Sequence, residues 1–137
     1  VKHYVDASVL LRVVLRQRGA IPATLDDGLT SALAEVECLR TLDRLYVRRR
    51  LDVDELASAR GAVFDLLEVL EVVELSRPVL RRAAEPFPTP LGTLDALHLA
   101  TALAWQERHP KEVMTMATHD AELARAARAC GLDVAGC

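Results

Sequence analysis

Two short runs constrain the architecture more than any other feature of the chain. Lys2–Val5 and Val113–Ala117 (VMTMA) are too short for helices and rich in strand formers. Each gives way within three residues to an aspartate and then to a helical pattern. The first leads into Ala7–Leu15 (ASVLLRVVL), ended by Gly19 and Pro22; the second leads into Asp120–Cys130, stopped by Gly131 before a terminal strand at Leu132–Val134. Strands separated by helices pair in parallel, because parallel neighbours need long crossovers, and such crossovers are nearly always right-handed. The expected fold is therefore α/β, a three-layer α/β/α sandwich around a central parallel sheet, in one domain over residues 1–137. Ligands of such open sheets bind outside the carboxyl ends of the strands, where the direction of winding switches.

The middle of the chain continues the alternation. Ala32–Arg50 reads as a long helix introduced by Thr30-Ser31 and ending in basic residues, which suit the negative end of a helix dipole. Asp54–Leu67 is a third helix, Val69–Leu75 (VLEVVEL) a strand, and Arg77–Ala84 a helix before a loop carrying Pro86, Pro88 and Pro90. Thr93 is the expected cap of an apolar helix running through Trp105. Residues 17–29 receive no element from their pattern.

A chain of 137 residues buries roughly 65–70% of its unfolded surface and needs no covalent staple. Cys38, Cys130 and Cys137 form no CxxC pair and are odd in number, which disfavours both a disulfide framework and a thiolate zinc site and points to a reducing cytoplasm. The opening Val1-Lys2-His3-Tyr4-Val5 reaches Asp6 too soon for a signal peptide, and no apolar run approaches the ~20 residues of a membrane span. The expectation is a soluble, intracellular protein. A net charge of −3 gives no global attraction for nucleic acid, although Arg48-Arg49-Arg50 and Arg81-Arg82 form local basic patches.

Acidic residues stand at the addresses that the topology singles out. Asp6 follows the first strand, with Ser8 two residues on, and Asp120 follows Val113–Ala117 through Thr118-His119. Each is also a good helix N-cap, so capping alone accounts for either one. Asp95 opens the helix after Leu94 and is the only acid between Leu91 and Gln106, a stretch otherwise small and apolar. A helix dipole favours a carboxylate there, but capping and dipoles do not explain why two strand ends and a buried helix start all carry Asp on the same edge. His98 lies three residues on, on the same side of that helix as Asp95. Glu35 and Glu37 point to different sides of their helix; Glu37 aligns with Arg40 and Arg44, Glu35 lies nearer Leu39, Leu42 and Tyr46, and periodicity does not choose between them.

The strings Tyr4-Val5-Asp6-Ala7-Ser8-Val9-Leu10-Leu11, Ser31-Ala32-Leu33-Ala34-Glu35-Val36-Glu37-Cys38-Leu39-Arg40, Leu94-Asp95-Ala96-Leu97-His98-Leu99-Ala100-Thr101-Ala102 and Thr118-His119-Asp120 together resemble the PIN-domain ribonucleases, especially VapC-type toxins. Each string is short; four in the right order across nearly the whole chain are specific. In that family the site glutamate stands six residues after the serine closing the second strand and precedes two apolar residues and an arginine, which selects Glu37. Residues 17–29 are shorter than the family's usual segment there, and the chain ends soon after Val134.

The resemblance implies a site of Asp6, Glu37, Asp95 and Asp120 holding Mg²⁺ or Mn²⁺, with Ser8 and Thr118 orienting ligands or water and Arg40 meeting a substrate phosphate. Converging carboxylates either take up protons or bind a cation, and oxygen ligands suit a hard divalent ion. The implied activity is metal-dependent RNA hydrolysis; the implied partners are an RNA substrate, a small antitoxin and a second copy of the chain. Two alternatives keep the fold: a PIN-like nuclease for RNA processing or DNA structures, and a module that binds RNA or protein without cutting it. A phospho-accepting receiver domain is disfavoured, because Lys2 and Lys111 both precede their strands and so lie at the opposite edge from a strand-end acid.

Overall fold

The computed structural model describes residues 1–137. In chain order it contains β1 (Lys2–Val5), α1 (Ala7–Val14), a 3-10 turn (Pro22–Leu25), β2 (Gly28–Ser31), α2 (Ala32–Val47), α3 (Val53–Val69), β3 (Glu71–Val73), α4 (Arg77–Ala83), α5 (Thr93–Arg108), β4 (Met114–Ala117), α6 (Ala121–Ala129) and β5 (Asp133–Ala135). The five strands form one sheet in the order β3-β2-β1-β4-β5, every neighbouring pair parallel. Winding runs outward from β1 in one direction through β2 and β3, and in the other through β4 and β5. The switch point therefore lies between β1 and β4.

Two separate apolar layers follow from strand alternation. Tyr4 of β1 joins Leu99, Leu103, Met114, Met116, Leu123 and Ala127 on the face covered by α5 and α6. The next residue, Val5, joins Val9, Leu10, Ala34, Cys38, Leu42, Val63 and Ala117 on the face covered by α1, α2 and α3. Fully buried leucines such as Leu10, Leu42, Leu99 and Leu123 each contribute about 1.5–3 kcal/mol of transfer free energy. This is the expected three-layer sandwich. No helix is long and apolar enough to cross a membrane.

Several elements differ from the sequence expectation, each for a local reason. The pattern of residues 17–29 gave no strand, yet Gly28–Ser31 forms β2, buried at all four positions. A strand buried on both faces does not alternate, and four residues offer no period to read. Gly28 is required at its start: a Cβ there would stand 2.5 Å from Leu70 Cδ2 and 3.0 Å from the Leu25 carbonyl. The seven-residue run Val69–Leu75 contributes only a three-residue edge strand, because α3 continues to Val69. Helix α5 is preceded by Gly92, not capped by Thr93, and has no side-chain cap. Helix α2 stops at Val47, short of Arg50, where Arg49 turns to φ +58°.

The amino edge of the sheet is closed by charge pairing. Lys2 is buried, with Nζ 2.9 Å from Asp27, 3.2 Å from Glu71 and 5.6 Å from the Trp105 ring centre. The carboxyl edge carries the opposite chemistry.

Candidate metal centre at the carboxyl edge of the sheet

Four of the candidate residues, Asp6, Ser8, Thr118 and Asp120, follow the adjoining ends of β1 and β4. Asp6 is the N-cap of α1 and Asp120 the N-cap of α6, each accepting from a backbone N–H three residues on. The Asp6 N–H donates to the Ala117 carbonyl at 3.2 Å, so β1 and β4 stay paired up to the acid itself. Asp6 is buried and held on both oxygens: Ser8 Oγ donates to Oδ1 at 2.6 Å, and Thr118 Oγ1 donates to Oδ2 at 2.6 Å. Both hydroxyls are in turn acceptors, Ser8 from the His119 N–H at 3.0 Å and Thr118 from the Asp120 N–H at 3.0 Å. Capping and a shared hydrogen-bond network are thus one arrangement at these strand ends: the two acids cap their helices and are linked through Thr118.

The remaining carboxylates arrive from opposite helical layers. Asp95 sits in the first turn of α5. Glu37 sits in α2, and its Oε1 is hydrogen-bonded to Nε2 of His98, a residue of α5. The side chain of Glu37 is 21% exposed and that of His98 is 1% exposed. Neighbouring Glu35 is exposed although Leu42 on its arc is buried, and Glu37 is partly covered although Arg40 and Arg44 on its arc are exposed. Periodicity failed here because it does not register the α5 residue lying over Glu37.

Electrostatics tie the acids together. Burial first, and then the charges of Asp120, Asp6 and Glu37, push the Asp95 carboxyl up from 3.8 to about 6. Burial also raises Asp6, against the hydrogen bonds from Ser8 and Thr118, which favour its ionised form. Arg40 lies away from this cluster: it is exposed on α2 and pairs with Asp43 at 3.2 Å. Of the candidate residues, the structure brings Asp6, Ser8, Thr118 and Asp120 into one hydrogen-bonded unit, sets Asp95 and Glu37 within its field, and leaves Arg40 outside.

The donor set suits a hard cation. Carboxylate and hydroxyl oxygens dominate, with none of the Cys or paired His ligands that zinc favours. Three or more ligand-type side chains do not already converge as a cage, and Mg²⁺ is characteristically held by one or two carboxylates with water and substrate phosphate completing its octahedron. A hollow of about 380 Å³ reaches the site, lined by Ser8, Thr41, His119 and Asp120. A second, of about 510 Å³, lies between α4 and the start of α5, lined by Leu80, Phe87, Leu91, Thr93, Ala96 and Leu97, and none of the four acids borders it.

An open parallel sheet ordered 3-2-1-4-5, with Asp6 and Asp120 at the helix starts beside its switch point, defines an α/β protein with an acidic carboxyl edge. The PIN domain family profile matches residues 3–129, and the chain belongs to that family. Ribonuclease VapC46 from Mycobacterium tuberculosis is 29% identical over 136 residues, covering 96% of this chain and 94% of the relative. Two crystal structures share the fold. FitAcB from Neisseria gonorrhoeae superposes with a TM-score of 0.65 at 18% identity, over 96% of this chain and 95% of that one. PAE2754 from Pyrobaculum aerophilum superposes with a TM-score of 0.60 at 20% identity, over 98% and 90%.

Two features of the site were missed by reasoning from residues. The Glu37–His98–Tyr4 chain joins positions 61 and 94 residues apart, with only the shared helix side of His98 and Asp95 as a hint. Gly136 lies behind Thr118: at φ +94°, a Cβ would stand 2.6 Å from the Thr118 carbonyl. Nothing in the terminal sequence signalled that approach.

Proposed function

We propose that the protein is a divalent-metal-dependent endoribonuclease and the toxin of a toxin–antitoxin pair, acting in the cytoplasm as a single catalytic domain per chain. One observation carries the chemistry: carboxylates from four separate segments lie close enough that, on top of burial, the charges of Asp120, Asp6 and Glu37 help push the Asp95 carboxyl up to about 6. Such a cluster is stabilised by a counter-charge, and its oxygen donors fit Mg²⁺ or Mn²⁺. Membership of the PIN family and full-length similarity to a relative named as a ribonuclease support RNA as the substrate.

Asp6, Asp95, Asp120 and Glu37 are the residues to hold the ion. When bound, Mg²⁺ or Mn²⁺ supplies the charge that polarises a phosphoryl oxygen and lowers the pKa of an attacking water. The chain itself supplies orientation. Ser8 and Thr118 fix the plane of the Asp6 carboxylate, and the α6 N-terminus fixes one oxygen of Asp120 through Leu123 N–H at 3.0 Å. Arg40, one turn beyond Glu37, exchanges Asp43 for a substrate phosphate, the geometry arginine recognises best. The antitoxin and a second copy of the chain complete the assembly in this reading.

Cleavage of a mixed RNA pool by the purified protein with Mg²⁺, with Mn²⁺ and with EDTA tests the proposal. Activity with either ion, lost in EDTA and in both Asp6→Asn and Asp95→Asn, is expected. Unchanged cleavage by the two variants would sink the assignment.

A further inference from the structure

His98 is the one buried imidazole on α5, and both of its nitrogens are engaged. Nδ1 stands 2.6 Å from the Tyr4 hydroxyl, and Nε2 meets Oε1 of Glu37. A carboxylate only accepts, so Nε2 carries the proton at that contact; Nδ1 of a singly protonated ring is then the acceptor, and Tyr4 O–H the donor. Tyr4 is fully buried in β1, packed edge-on to the imidazole with ring centres 5.7 Å apart and planes at 68°. The central strand thereby fixes the rotation of the ring, and the ring fixes one oxygen of Glu37. Histidines satisfied purely as core residues bond to whichever acceptor is near. Here the acceptor is an acid on a helix of the opposite layer, and His98 lies one turn along α5 from Asp95.

We infer that His98 is a positioning residue for the cation site: its Nε2–H, oriented by the Tyr4 hydroxyl, clamps Glu37 through Oε1 from the opposite helical layer, and the other carboxylate oxygen is not used by this contact. Without the clamp, Glu37 is a flexible side chain with nothing to hold it over the other acids. The imidazole also passes rigidity from β1 to a residue that no strand end carries. This inference rests on the reading of Glu37 as part of the cation site.

Mn²⁺ binding to the purified protein, followed by electron paramagnetic resonance in the absence of RNA, tests it. Loss of an outer-shell partner typically costs about 10–100-fold in metal affinity, so His98→Leu should weaken Mn²⁺ by that amount, while His98→Gln, whose amide nitrogen can reach Glu37, should recover to within about threefold of wild type. Tyr4→Phe should fall between them. Failure of Asp6→Asn to weaken Mn²⁺ would count against the cation site itself; weakening by Asp6→Asn with His98→Leu unaffected would overturn the role of His98 alone. Because His98→Leu removes a buried polar group, long-range ¹H–¹⁵N correlation of the imidazole in the metal-free wild type gives an independent reading. A protonated Nε2 is expected, its signal moved by Glu37→Gln. A bare Nε2, or a signal indifferent to Glu37→Gln, would overturn the inference.

Discussion

Replacing Asp95 by Asn should stabilise the protein when no divalent ion is present. The Asp95 carboxyl is raised from 3.8 to about 6 by burial and by the charges of Asp120, Asp6 and Glu37. A folded-state pKa above the unfolded one means that the folded state holds the proton more tightly. The associated stability is fully present below about pH 4 and is lost as pH rises through about 6. At 1.36 kcal/mol per pH unit the difference amounts to at most about 3 kcal/mol, and solvent screening of a half-exposed carboxylate reduces it to about 1 kcal/mol. Asn keeps the size of the side chain and removes the charge. Urea unfolding in EDTA at pH 8 should therefore show Asp95→Asn more stable than wild type by about 1 kcal/mol, with the gap narrowing through pH 6 and closing near pH 4. Added Mg²⁺ should reverse the order, because the wild type, binding the ion more tightly, gains more free energy from it. A variant less stable than wild type at pH 8 in EDTA, or a gap that does not change with pH, would refute the electrostatic reasoning.

Three further outcomes are expected. Thr118→Val should lower stability by about 2–4 kcal/mol in chemical denaturation, since it removes a buried donor to Asp6 and an acceptor for the Asp120 N–H; Thr118→Ser should restore most of that. Gly136→Ala, which sets a Cβ against the Thr118 carbonyl at a left-handed φ, should reduce RNA cleavage more than Gly61→Ala, where nothing stands within 4 Å and the change lowers the entropy of the unfolded chain in favour of the helix. Thiol labelling of the native protein at pH 8 should modify exposed Cys137 first and leave Cys38 intact, because burial pushes the Cys38 thiol up to about 12; early labelling of Cys38 would show that α2 opens readily.

The legible part of the fold was the part with a period. Strand-then-helix alternation specified parallel pairing, and parallel pairing placed Asp6 and Asp120 at one edge, since each stands within three residues of the end of an interior strand. Asp95 stood out because an otherwise small and apolar helix start has little other use for a carboxylate. What stayed hidden was set by contacts between distant segments. β2 is four buried residues whose pairing with β1 is specified by the sheet and by the close approach at Gly28, not by local pattern. Glu37 could be separated from Glu35 only by family resemblance, as its partial burial comes from His98, 61 positions away. The hydroxyl pair around Asp6 shows the same division: Ser8 is local and visible, whereas Thr118 reaches Asp6 from 112 residues away.

Asp6, Glu37, Asp95 and Asp120 are expected to act as one cation site beside the β1–β4 switch point. Mn²⁺ titration of the wild type and of Asp6→Asn, Glu37→Gln, Asp95→Asn and Asp120→Asn, with Glu35→Gln as the control, tests it most directly. Saturable binding by the wild type and by Glu35→Gln, weakened in all four site variants, is the predicted result. Binding that is absent from the wild type, or that survives loss of Asp6 and Asp95 while responding to Glu35, would contradict it.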